Sequence, residues 1–269
     1  MTAAMVRATR IFLLVAALSL LLSANLAAQR AAAPDDLTGY WVSIVTEKWR
    51  YSMLVPDKGD YVKVPLNPEG RKIAEAWDAA KDQESGNACK GYGAAALLQV
   101  PGRLHIYWQD DNTLRVDTDS GTQTRLLHFG GAPPANEAPT WQGYSVALWG
   151  GDEPRDRRDG QGGPVQDSSG RLVIAKEQRK QADYLKVVTT RMRSGYLQKN
   201  GVPYSGNAVL EEYFDYFSDP YTHNTWLAVT SVVTDPQYLI EPLISHAHFK
   251  KIRDGSGWDP TTCRADEPR

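Results

Sequence analysis

Two histidines near the end of the sequence have the spacing of a metal-binding pair. His246 and His248 are two residues apart in a segment rich in β-forming residues, and side chains two apart on a strand leave the same face. Imidazole pairs of this kind bind zinc and related metals. A complete site needs a third ligand, and the candidates are His105, His128, Glu211 and Glu212. None stands at a diagnostic spacing. The alternative is a solvent-facing pair beside Lys250 and Lys251, and no metal or other cofactor is predicted.

A carboxylate and a guanidinium form a second candidate pair. Glu212 shares a strand face with Leu210 and Phe214, which predicts that it points into an apolar interior. Burial raises the pKa of a carboxyl group, and such a group can act as an acid or a base. Arg125 shares its own strand face with Leu127 and could pair with Glu212. Glu212 and Arg125 are therefore the catalytic candidates, and a buried ion pair or an outward charge is the alternative.

The segment Gly143-Tyr144-Ser145 contains part of a hydrolase motif. A serine nucleophile needs Gly-x-Ser-x-Gly at a strand-to-helix turn. Here the fifth position is Ala147, and the β-pattern continues to Trp149. The segment therefore predicts a continuous strand in place of a nucleophile.

Aromatic side chains supply candidates for a binding pocket. The chain has 8 Trp and 13 Tyr but only 5 Phe, and amphipathic aromatics favour strands, interfaces and ligand pockets. In a closed barrel some of them must line any central cavity, although packing in the core is the simpler role. The ligand-binding candidates are Trp41, Trp108, Tyr144, Trp149, Tyr213 and Trp226.

Short strands must position nearly all of these residues. Alternating β-formers bounded by Gly, Asp, Asn and Pro predict successive strands, at 37–46, 104–109, 113–118, 122–129, 140–149, 184–192, 208–217 and twice within 224–251. Asn67-Pro68-Glu69 has the composition of a helix start, and the helix should run to about Ala80. The sequence thus predicts an all-β fold. Its form should be an antiparallel lipocalin-like barrel of about 8–10 strands with one short helix near 68–80.

The N-terminal residues and one internal segment differ from this barrel pattern. Residues 1–28 carry a basic start, an apolar run too short to span a bilayer comfortably and small residues, which predicts a cleaved signal peptide. Residues 29–36 should be a linker, and 37–269 a single barrel domain. Residues 150–183 are dense in glycine and charge and predict a long exposed insertion. The expected location is secreted or periplasmic, without stable membrane insertion.

The number of cysteines and the net charge limit the kinds of site and partner that the chain could have. Cys89 and Cys263 are the only cysteines, and export predicts a disulfide between them. A metal pair and a catalytic thiol are the alternatives. Among 269 residues the net charge is −2, and it becomes −4 when Arg7 and Arg10 leave with the signal. This balance is unlike that of nucleic-acid-binding proteins.

The chain resembles a large group of secreted bacterial proteins, common in soil bacteria. The shared pattern is a helix that starts with Pro and ends Ala-Trp-Asp, a Cys, a Gly-x-Ser followed by Trp, and an Asp-Pro turn before the last strands. The matching positions are Gly70, Trp77, Asp78, Cys89, Trp141, Gly143, Ser145, Trp149, Asp235, Pro236 and Pro242. The insertion at 150–183 and the histidine pair depart from the pattern. The resemblance implies export and a lipocalin-like fold, and it implies no catalytic residues.

The leading functional hypothesis is a lipocalin-like protein that binds a small hydrophobic or aromatic molecule. The alternative is an enzyme that uses the barrel cavity. It would be a metal-assisted hydrolase through His246 and His248, or a proton-transfer isomerase through Glu212. A second alternative is a periplasmic interaction module that uses residues 150–183.

Overall fold

The described residues form thirteen β-strands. In chain order they are β1 (Gly39–Ser43), β2 (Arg103–Asp110), β3 (Thr113–Thr118), β4 (Gln123–Phe129), β5 (Tyr144–Trp149), β6 (Val165–Gln166), β7 (Leu172–Val173), β8 (Tyr184–Thr190), β9 (Gly195–Gln198), β10 (Val202–Tyr204), β11 (Val209–Ser218), β12 (Thr225–Thr234) and β13 (Leu243–Ile252). Nine of them close into one barrel in the order β1-β13-β12-β11-β8-β5-β4-β3-β2. The predicted all-β barrel is therefore confirmed.

The computed structural model describes residues 29–48, 53–133, 138–150, 165–166, 172–173 and 184–269. The expected signal peptide at 1–28 and most of the expected insertion at 150–183 lie outside these residues. Within the insertion, β6 and β7 pair as a two-stranded ribbon.

The barrel departs from an all-antiparallel ring at one junction. β4 and β5 run parallel, with Leu127 opposite Ser145, whereas the other junctions around the ring are antiparallel. Nine is an odd number, and a closed ring of odd number cannot alternate strand direction throughout. One parallel junction is the least that closure requires, and residues 130–143 make the connection between its two strands.

Alternation along each strand fills the interior of the barrel. In β8 and in the first six residues of β11, for example, every second residue is buried, as expected for a sheet with one face in the core. The main apolar core contains Trp41, Leu104, Leu127, Trp149, Phe214 and Phe249, among others. Trp41 is wholly buried, and its indole Nε1 donates to the carbonyl oxygen of Leu37 at 3.0 Å. Close packing of this kind makes the centre of the barrel a core.

In the described part of the chain, four short helices lie outside the ring: α1 (Gln29–Ala32), α2 (Pro68–Ala76), α3 (Ala79–Glu84) and α4 (Ala94–Leu97). Together with residues 61–66 and the hairpin β9–β10, helices α2 and α4 form a layer that we call the cover. A second apolar core joins the cover to one end of the barrel, with Leu197, Val202 and Tyr204 packed near Leu210 and Val233. The backbone of α1, in the expected linker, donates to the β2–β3 turn through Arg30 N and Asp111 O at 3.0 Å.

The predicted helix at 68–80 is present but is divided in two. Asn67 caps α2 as expected, because its Oδ1 accepts from the backbone N of Gly70 at 2.9 Å. The helix ends at Ala76, since Trp77 takes an extended conformation. Asp78 then caps α3, and its carboxylate accepts from the backbone N of Ala80 at 3.1 Å. An aspartate that serves as an N-cap has a non-helical backbone, so it interrupts the helix that the sequence predicts as continuous.

A disulfide joins Cys89 to Cys263, across a sequence separation of 174 residues. Cys89 lies in a 3-10 turn, Ala88–Tyr92, directly before α4. Cys263 begins the C-terminal tail, residues 263–269. The bond confirms the predicted pairing and fastens the tail against the segment that leads into the cover.

Candidate functional site

A polar layer crosses the otherwise apolar interior of the barrel. Glu212 on β11 and Arg125 on β4 are each only 1% exposed at the side chain and form an ion pair of two hydrogen bonds, at 2.5 and 3.1 Å. Arg125 Nη2 also donates to Thr189 Oγ1 at 3.2 Å. Ser145 Oγ and Thr189 Oγ1 are 2.7 Å apart. Glu212 points inward, and of the alternatives for this residue the structure shows the buried ion pair with Arg125.

This geometry gives the pair a structural role. Both carboxylate oxygens of Glu212 are occupied by one guanidinium, and neither side chain reaches solvent. An acid or base must come within hydrogen-bond reach of a substrate, whereas the carboxylate of Glu212 is held inside the barrel by Arg125. Ser145 is enclosed in the same layer, with the hydroxyl of Thr189 as its partner in place of an imidazole.

The structure divides the six aromatic binding candidates between the two faces of the barrel wall. Trp41 and Trp149 belong to the apolar core, and Trp108 packs against it. Tyr144, Tyr213 and Trp226 lie on the outer face, where Tyr144 stacks on His128 and Trp226 lies under the ammonium of Lys250. The six residues therefore do not come together around one cavity.

The candidate metal ligands are also dispersed. His246 and His248 lie on the outer face of β13, and His246 Nδ1 is 3.1 Å from Thr230 Oγ1. His105 stacks on Tyr40 with ring centroids 4.1 Å apart, and burial lowers its pKa. Glu211 accepts from the hydroxyl of Tyr213 at 3.4 Å. Within the described part of the chain, no group of three His, Cys, Asp or Glu side chains could hold a metal ion.

A cleft of about 290 Å³ lies between the cover and the end of the barrel where β12 finishes and β13 begins. Its lining is largely apolar, and it includes Ala95, Val100, Leu197, Val233, Leu243 and Ile244. Ile244 is 60% exposed although it is a large hydrophobic residue. The volume is at the lower end of the range for small-molecule sites, about 300–1,000 Å³. The apolar lining makes the cleft a suitable site for a small apolar molecule.

Polar groups occupy a few places in this apolar lining. Lys63, Lys199, Gln198 and His246 all contribute to it. The side-chain oxygen of Gln198 is buried, and no donor among the described residues reaches it. Ser245 also lines the cleft and lies opposite Ser231, which itself lies opposite Glu212 of the polar layer.

The 3-10 turn Ala88–Tyr92 and the C-terminal tail hold Lys199 at the cleft. Its Nζ donates to the hydroxyl of Tyr92 at 2.6 Å and to the carbonyl oxygen of Glu267 at 2.5 Å. Burial lowers the pKa of Lys199 from 10.5 to about 7, although the carboxylates of Glu267 and Asp266 act in the opposite direction. The neighbouring phenol responds to the same environment, and burial raises the pKa of Tyr92.

Sequence reasoning did not identify this cleft. Asn200-Gly201 is a common hairpin turn, and in the structure it joins the two strands of the hairpin β9–β10 next to Lys199. Nothing in the sequence indicates that this hairpin lies beside α4 and residue 268, because those segments are distant along the chain. Lys199 itself has no spacing that separates it from other surface lysines.

Comparison with protein-family models, with curated proteins and with solved structures gives no match to this chain. Among the described residues, no helix combines the length and the apolar character needed to cross a bilayer. The features that describe this protein are a closed nine-stranded barrel, a disulfide that fastens the tail, and an apolar cleft under the cover.

Proposed function

We propose that this protein binds a small hydrophobic molecule in the cleft between the cover and the end of the barrel at β12 and β13. The observation that carries the proposal is the largely apolar lining of a 290 Å³ space, which includes the exposed side chain of Ile244. Apolar surface gains about 25 cal/mol per Å² when it leaves water. A small apolar body is thus a favourable occupant.

The place of binding differs from that in the lipocalin-like hypothesis. That hypothesis has the ligand inside the barrel, among residues such as Trp41 and Trp149. Both side chains are buried in the apolar core, so we assign the ligand to the end of the barrel instead. The polar groups of the cleft would orient the ligand, and the apolar groups would supply most of the affinity.

We further propose that the protein is exported and belongs to the secreted bacterial group that it resembles. The apolar run and small residues of 1–28 support this, and so does a disulfide between the two cysteines of the chain. Disulfides persist in oxidising compartments such as the periplasm. The alternatives of a barrel-cavity enzyme and of an interaction module at 150–183 have less support. Glu212 is sealed in an ion pair, and most of that insertion lies outside the described residues.

Fluorescence titration with N-phenyl-1-naphthylamine, a neutral probe of apolar sites, tests the binding proposal. The probe should bind the purified protein saturably at one site. Ile244→Ser removes part of the cleft wall and should weaken binding about fivefold, since roughly 1 kcal/mol of apolar contact is lost.

Ile240→Ser is the matched control, because Ile240 is 72% exposed but does not line the cleft. Its affinity for the probe should equal that of the unmodified protein. The proposal fails if binding is not saturable, or if the two serine variants bind the probe equally well.

A further inference from the structure

The charged side chains in the lining of the cleft are lysines. Lys63 and Lys199 line it, together with His246, whereas no aspartate or glutamate among the described residues does so. Lys90, by comparison, has an acidic partner in Asp82 at 2.8 Å. A largely apolar space with ammonium groups in its wall is complementary to a molecule with an apolar body and a negative end.

Lys199 is the better placed of the two lysines. Its side chain runs over Gly91, where an added Cβ would lie only 3.0 Å from its Cγ. Its Nζ is 4.0 Å from the centroid of the Tyr92 ring. This ring and the tail hold the ammonium within the low-dielectric wall. Lys63, in contrast, is exposed.

The atoms that accept hydrogen bonds from Lys199 carry no formal charge. Tyr92 offers a neutral hydroxyl and Glu267 offers its backbone carbonyl. The carboxylates of Asp266 and Glu267 act on Lys199 through space, and they also pair with the guanidinium of Arg264 at 3.3 and 2.8 Å.

We infer that the ligand of this cleft carries an anionic head group, such as a carboxylate or sulfonate, which Lys199 binds while the apolar wall takes the body. The inference rests on the proposed function and defines its ligand class. Charge-assisted hydrogen bonds in a partly desolvated place are among the stronger polar contacts. The lowered pKa of Lys199 agrees with it, because a bound anion would restore the charged form that burial disfavours.

Two probes with the same apolar body separate the head group from the body. 1-Anilinonaphthalene-8-sulfonate is anionic, and N-phenyl-1-naphthylamine is its neutral counterpart. At pH 6.5 the protein should bind the sulfonate about tenfold more tightly than the amine, as one charge-assisted hydrogen bond allows. Decanoate should displace either probe at lower concentration than decanol does.

Substitution of the lysine should remove only this preference. Lys199→Met keeps the unbranched stem over Gly91, and Lys199→Gln keeps a hydrogen-bond donor without charge. In both variants the sulfonate should lose about tenfold in affinity, and the neutral probe should bind as before. Lys250→Met is the charge-matched control, because Lys250 lies over the ring of Trp226 on the outer face of the barrel.

The pH profile provides an independent readout. In the free protein Lys199 is charged below pH about 7 and loses its proton above it. Sulfonate affinity should therefore be greatest below pH 7 and fall as the pH rises towards 9, while the affinity of the neutral probe stays constant. Tyr92, Asp266, Glu267 and His246 are the other titratable groups at the site, so the slope must disappear in Lys199→Met to be assigned to Lys199.

The outcomes distinguish the two proposals. Equal affinity for both probes, or a sulfonate preference that survives in both Lys199 variants, overturns the anionic head group and leaves the apolar ligand in place. Failure of both probes to bind saturably removes the proposed function, and the inference with it.

Discussion

The ion pair of Arg125 and Glu212 is the residue-scale feature with the largest energetic consequence. Both side chains are buried, and the Nε of Arg125 finds no acceptor among the described residues. Desolvation of two charges costs several kcal/mol, and their attraction only offsets it. The pair therefore adds little stability as a whole, but either charge alone would be strongly unfavourable.

Glu212→Gln should lower the free energy of unfolding by about 3–5 kcal/mol, because it leaves the guanidinium of Arg125 buried without a counterion. The double variant Arg125→Met/Glu212→Leu should recover most of this loss. Urea unfolding of the three proteins measures both effects.

Glu211→Gln is the control for this series, since the adjacent carboxylate is on the outer face. Its effect should stay within about 0.5 kcal/mol, as for most surface substitutions. A single variant at 212 no less stable than this control would show that the pair is not the sealed unit that the geometry describes.

At the scale of elements, the sequence predicts the strands better than the packing between them. Alternation with a period of two is a local property, and it correctly marks strands such as β3 and β4 as well as the inward direction of Glu212. The break between α2 and α3 was missed, because Asp78 can serve either as a helical residue or as an N-cap. In the structure Trp77 packs against Gly201, where an added Cβ would lie 2.2 Å from the Cβ of Trp77.

The start of α2 is fastened to the turn before β13 by one side chain. Asn67 Oδ1 accepts from Gly70 N, and Asn67 Nδ2 donates to the carbonyl oxygen of Gln237, both at 2.9 Å. Asn67→Ala should cost about 1–2 kcal/mol, because it removes the helix cap and the second hydrogen bond together.

Asn67→Asp separates the two contributions. Aspartate caps helices as well as asparagine does, but it cannot donate to Gln237. Its unfolding free energy should lie between those of the parent protein and Asn67→Ala in the same urea titration. An aspartate variant as unstable as the alanine variant would mean that the link to the turn outweighs the cap.

At the scale of the whole molecule, the disulfide decides where the C-terminal tail lies. Cys263 is fixed beside the 3-10 turn that precedes α4, and the tail then contributes Pro268 to the cleft and the carbonyl of Glu267 to Lys199. Arg269 adds a salt bridge to the buried Asp119 at 2.9 Å. The tail is thus part of the cleft wall.

Cys89→Ser/Cys263→Ser should lower the free energy of unfolding by up to about 5 kcal/mol, the chain-entropy value for a loop of this length. It should also weaken binding of the neutral probe, because the residues after Cys263 lose their covalent attachment to the wall. Chemical denaturation and probe titration measure the two effects. Treating the parent protein with a reductant should reproduce the variant, and an unchanged unfolding midpoint in both cases would contradict the prediction.

The sequence by itself determined the class of fold, the boundaries of most strands, the partner of each cysteine and the inward face of Glu212. These depend on local alternation, on turn residues and on there being two cysteines. Only the tertiary structure decided the parallel junction of β4 and β5, the filling of the barrel by its own aromatics, and the cleft at its end. The cleft brings Lys199, Tyr92 and Glu267 together from segments far apart in the chain, and no local pattern encodes such a meeting.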